Sequence, residues 1–122
     1  MGIHITGSTI LSIIFHPKSS SVVAGDDIEL ACTARGSDPL LFVWGTTANI
    51  TSAGLPPSVQ SSNTDGSVTS ALYLMNAGKE HVGEYLCIIM DSTGSRLLSQ
   101  PADVSVLILD TGSPHAYTDT LH

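Results

Sequence analysis

Short apolar stretches recur along the chain at intervals of about ten residues, with turn-forming residues between them. Residues 9–15 (TILSIIF) stop at His16-Pro17, where the proline breaks or bends a strand. A short run, 21–23 (SVV), ends at AGDD. The stretch 28–34 (IELACTA) alternates, so Ile28, Leu30 and Cys32 share one face and Glu29, Ala31 and Thr33 the other. The mostly apolar run 40–45 (LLFVWG) carries the single Trp44 and follows the turn cluster RGSDP. Alternation returns in 67–75 (SVTSALYLM), with Leu72 and Leu74 in phase, and 84–90 (EYLCIIM) is a further strand before the hairpin turn DSTGS. The last run, 96–109, contains Pro101 and so predicts a bulge or an edge position. Residues 46–66 are loosely patterned and leave room for two weak strands. No sustained 3.6-residue period occurs, and the class is all-β.

Composition fits this reading. Charged residues make up 12% of the 122-residue chain, about half the usual share. Ser and Thr supply much of the polar surface instead, which suits short strands and many turns. A formal charge of −7 with four Lys and Arg argues against nucleic acid or an anionic membrane as partner, since both require a basic patch. No apolar run is long enough to span a bilayer, so attachment to a membrane would come only through a parent protein. Residues 1–8 and 110–122 are polar and patternless and are read as a tag or disordered segment and a linker or tail. That leaves 9–109 as one domain. Two cysteines permit one internal pair, which suggests a structural disulfide in a secreted chain and means little in an intracellular one.

Cys32 and Cys87 both lie on the inward phase of their strands, and a bond between them would close a loop of roughly 55 residues. Trp44 falls in the strand between them, and Tyr85 shares the phase of Cys87. In this order and spacing, Cys32 in IELAC, Trp44 in LFVWG, Leu72 and Leu74 in SALYLMN, and Tyr85 and Cys87 in GEYLC resemble an immunoglobulin-superfamily domain of the intermediate or variable-like set. The resemblance covers about residues 10–109. It implies a two-sheet antiparallel Greek-key sandwich with one inter-sheet disulfide, Cys32–Cys87, and a core signature of Trp44, Leu74 and Tyr85. It departs at His81, where the family often has an Asp paired with a basic residue. The stretch PPSVQSSN, where that partner would lie, holds no Lys or Arg, so both halves of the ion pair are missing together. His81 is read as filling a turn.

Strand phase adds a candidate site. With Tyr85, Cys87, Ile89, Phe42 and Trp44 inward, the free face of the Trp-bearing sheet carries Leu41, Val43, Leu86, Ile88 and Met90. An apolar patch of that kind marks a contact surface for another protein, a second copy included. Asn49-Ile50-Thr51 is an N-glycosylation acceptor triplet near the rim of that sheet. The histidines lack metal-ligand spacing, and there is no GxSxG turn or phosphate-cradling glycine loop. Neither metal, cofactor nor catalytic residue is therefore assigned. The expected role is non-enzymatic recognition or adhesion in a cell-surface receptor ectodomain, with receptor tyrosine kinases among the parents that the resemblance implies. The alternative is an intracellular structural spacer of the muscle-filament kind.

Overall fold

The computed structural model describes residues 9–48, 54–109 and 116–118. Among the described residues, ten strands form two sheets. The first has the order β1 (Ser12–Phe15), β3 (Ile28–Arg35), β6 (Val68–Leu74), β5 (Val59–Ser62). The second runs β10 (Ala116–Thr118), β9 (Ala102–Leu109), β7 (Gly83–Met90), β4 (Leu41–Thr46), with β2 (Ser20–Val23) beside β9 and β8 (Arg96–Leu98) beside β7. The sandwich core lies between them.

The inward phases expected for β3, β6 and β7 are buried. Ile28, Leu30, Cys32 and Ala34 of β3 join Leu72 and Leu74 of β6 in the core. They meet Phe42 and Trp44 of β4, Tyr85, Cys87 and Ile89 of β7, and Val104 and Val106 of β9. Such interdigitation of two inner faces is the ordinary solution for stacked sheets.

Two departures follow from proline. The chain leaves the first sheet after Phe15 and enters the second at Ser20, with the buried Pro17 at the crossing. Because β2 and β9 run the same way, their pairing is parallel, from Ser20 opposite Val104 to Val23 opposite Leu107, and the sandwich is not wholly antiparallel. Pro101 splits the last run into β8 and β9, both of which pair antiparallel with β7 at different places. A proline lacks the N–H needed to continue one ladder. In the loose region 46–66, the strand that forms among the described residues is β5, and it joins the first sheet beside β6. The tail segment contributes β10, which pairs with residues 107–109 of β9.

The hairpin turn after β7 is held by Asp91. Its buried carboxylate accepts from the Thr93 hydroxyl (2.6 Å) and from the backbone N–H groups of Thr93 and Ser95, while its other oxygen accepts from Ser37 N–H. These donors, the Thr93 hydroxyl foremost, hold the Asp91 carboxyl below its ordinary range. A depressed carboxyl stabilises the fold above its unfolded-state value, and that stabilisation is lost as pH falls through the folded one.

Candidate functional site: the Trp44 sheet and its two faces

On the inner face the Trp44 indole is 2% exposed, and its Nε1–H donates to Ser70 Oγ at 2.9 Å across the core. The one polar atom of the largest core side chain thus has a buried partner, as such rings require. Tyr85 turns its hydroxyl back to donate to the His81 carbonyl at 2.8 Å. Burial first, and Glu80 second, push the phenol up, which keeps it a neutral donor. Replacing Tyr85 with Phe is expected to cost about 1 kcal/mol of unfolding free energy, read by urea denaturation. A midpoint equal to the wild type would show that the bond contributes nothing.

His81 closes the 3₁₀ turn Lys79–His81. Its Nδ1 accepts the N–H of Gly78 at 3.0 Å. The imidazole therefore serves as an acceptor for the backbone of its own turn.

Cys32 and Cys87 face each other across the sandwich, each with no exposed surface. The bridge expected between them is not present in this structure: both are free thiols, close but beyond bonding distance. A disulfide requires sulfurs near 2 Å apart and an oxidant, whereas reduced thiols pack at contact distance as small apolar groups. Contact with the Cys32 thiol and burial push the Cys87 thiol far above its ordinary range.

The outer face differs from the sequence expectation. Leu41 is 53% exposed, and Val43 and Met90 are half-buried. Leu86 and Ile88 are buried, at 6% and 7% exposure, and so are not open surface. Neither belongs to the core cluster, so their phase is outward even though they are covered. Position explains Ile88: β7 is a central strand, and Ile88 lies between Val43 of β4 and Leu98 of β8. Side chains directly opposite in a ladder approach within about 5 Å and shade one another. Leu86 lies opposite Gly45, a buried position without a side chain.

Two cross-strand rows result: Leu41, Met90 and Arg96, then Val43, Ile88 and Leu98. Leu98, 48% exposed, joins these rows because Pro101 divides 96–109 into two strands, which the phase of a single run does not show. Counting phase back from Pro101 as a break would have found it. Glu84 shares the outward phase of Leu86 and Ile88 and lies directly opposite Asp103, both exposed, at the far end of the same face. The face thus has an apolar middle, an acidic end and Arg96 at the other end. Asn49 lies outside the described residues. Among the described residues no group of three or more His, Cys, Asp or Glu side chains is placed to hold a metal ion.

The family model described as immunoglobulin domain matches residues 12–90. The chain belongs to the immunoglobulin domain family. This immunoglobulin domain is 32% identical over 114 residues to the human leucine-rich repeats and immunoglobulin-like domains protein 1, covering 87% of this chain and 10% of that protein. It therefore spans about a tenth of that relative's length. Among solved structures it resembles a chimeric titin Z1Z2 carrying a decorin peptide, with a TM-score of 0.67, 17% identity, and coverage of 84% of this chain and 99% of that one. It also resembles the N-terminal Ig1-2 module of a Drosophila receptor protein tyrosine phosphatase, with a TM-score of 0.60, 21% identity, and coverage of 82% and 50%. At those identities the immunoglobulin domain shares a fold with both and no more.

Proposed function

We propose that this immunoglobulin domain is a non-enzymatic extracellular recognition or adhesion module of a receptor ectodomain. In this reading it contacts another protein, a second copy included, through the outer face of β4, β7 and β8. The observation that carries it is the banding of that face. Leu41, Val43, Met90 and Leu98 form the apolar middle, with Arg96 at one end and the Glu84–Asp103 pair at the other. Like charges directly opposite in a ladder repel, so a cation over that pair relieves them. Met90 and Glu84 are six residues apart on β7, roughly 20 Å. A two-fold related copy laid antiparallel over the face brings its Arg96 to the acidic end and matches apolar rows to apolar rows. Arg96→Glu should abolish such association, and raised salt should weaken it.

The extracellular part of this reading carries two further expectations: a bond between Cys32 and Cys87, and a glycan on Asn49. The muscle-filament reading expects both thiols to stay free. Intact mass after denaturing alkylation, with and without reductant, separates the two readings for protein recovered from its native compartment. The receptor reading predicts no alkylation until reductant is added. Two alkylated thiols without reductant would favour the spacer.

A further inference from the structure

The crossing between the sheets is fastened by a histidine that can work only when neutral. His16 is the pivot: Phe15 before it still pairs with Thr33 in the first sheet, and Ser20 after it begins the parallel ladder on β9. Its Nδ1 accepts the backbone N–H of Gln100 at 2.9 Å. The donor is an amide, so the ring atom facing it must offer a lone pair. Gln100 is itself an anchored point. Ser99 N–H donates to the Cys87 carbonyl at 2.8 Å, Ser99 Oγ accepts from Cys87 N–H at 2.9 Å, and the same hydroxyl donates to the Gln100 carbonyl at 2.9 Å. Three residues beyond His16, Ser19 Oγ accepts the N–H of Asp103 at 2.9 Å. His16 and Ser19 thus clip the crossing segment to both sides of Pro101 before the β2–β9 ladder starts.

We propose that His16 is an acid-sensitive latch, which releases the β1–β2 crossing from the Gln100 end of β9 when the imidazole takes up a proton. Protonation turns Nδ1 from an acceptor into a donor pointed at another donor, and the bond becomes a repulsion. Histidine is the side chain whose charge changes in the mildly acidic range. The charged groups around it do not share one sign. Lys18 of the crossing and Glu29 of β3 line the same concavity as His16, a space of about 360 Å³, and Asp103 lies on β9 beside Ser19. Groups of both signs thus surround the latch. The lost acceptor sets its direction. Because the bond exists only with the neutral ring, the stabilisation it gives is lost when the ring takes up a proton. His81 uses its Nδ1 in the same way toward Gly78, on the turn before β7, so a global stability curve would mix two histidines. The test must therefore be local.

Amide hydrogen exchange by NMR, expressed as protection relative to the unstructured rate at each pH, reads the latch at the Gln100 amide. In the wild type, protection at Gln100 should drop about tenfold between pH 7.5 and 5.5, the equivalent of one ordinary hydrogen bond. Protection at Ser99, bonded to the Cys87 carbonyl, should hold. In His16→Asn, whose side-chain oxygen can stand near the place of Nδ1 and does not titrate, Gln100 protection should not depend on pH. A second reading needs no variant: the Gln100 amide shift should titrate together with the His16 ring resonances. Gln100 protection that is constant with pH in the wild type, an equal drop in His16→Asn, or a Gln100 shift that ignores the ring would each overturn the latch.

Discussion

Trp44→Ala is expected to destabilise the domain by about 3–5 kcal/mol, the range for removing a large aromatic side chain from a packed core. Two effects add. The indole leaves a cavity between β4 and β6, and Ser70 Oγ, a fully buried hydroxyl, loses the donor that it now accepts from at 2.9 Å. Trp44→Phe separates the contributions, because it keeps most of the ring volume and removes the N–H. It should lose roughly 1–3 kcal/mol, the usual range for a buried polar group left unpaired. Urea denaturation of both variants, with slopes equal to the wild type, checks this. If Trp44→Phe were as stable as the wild type, the bond across the sandwich would contribute nothing.

Oxidising the Cys32–Cys87 pair is expected to raise stability by about 4 kcal/mol, because a bond closing a loop of roughly 55 residues removes that much chain entropy from the unfolded state. The two thiols already face each other with no solvent around either. Closing them requires the two sulfurs to come within bonding distance inside a packed core. The comparison is between reduced and oxidised protein under the same denaturant, with the redox state fixed by mass. A gain near zero would mean that the approach strains the sandwich as much as the loop closure stabilises it.

Where a strand is long and one face is buried, alternation alone discloses it. The faces of β3, β6 and β7 could be read residue by residue, because a one-position slip would carry Leu30, Cys32 and Leu72 out of the core. Edge and split elements were harder to see. β5 is VQSS, exposed throughout, and has no apolar period to detect. Its membership of the first sheet is decided by pairing with β6, a long-range event. The parallel course of β2 depends on where the chain crosses between sheets, which Pro17 hints at but does not orient.

The candidate face shows the same limit in another form. Phase correctly separates Leu86 and Ile88 from the core cluster, yet phase says nothing about shading by neighbouring strands. The burial of Ile88 depends on Val43 and Leu98 on either side, and the position of Leu98 depends on the break at Pro101. What remains open is the rim, Leu41 and Leu98, with half-buried Val43 and Met90 between. His81 illustrates the opposite case. Sequence gave it no role beyond occupying a turn, and the structure shows which atom it uses to hold that turn.

Sedimentation equilibrium on the wild type and on Leu41→Asp/Leu98→Asp tests the recognition face most directly. Both positions are surface, so the double variant should unfold within about 1 kcal/mol of the wild type. The wild type should show a weight-average mass that climbs from monomer toward dimer with concentration, while the double variant stays a monomer throughout. A wild type that remains monomeric at the highest concentration, or a double variant that associates equally well, would contradict pairing through the Trp44 sheet.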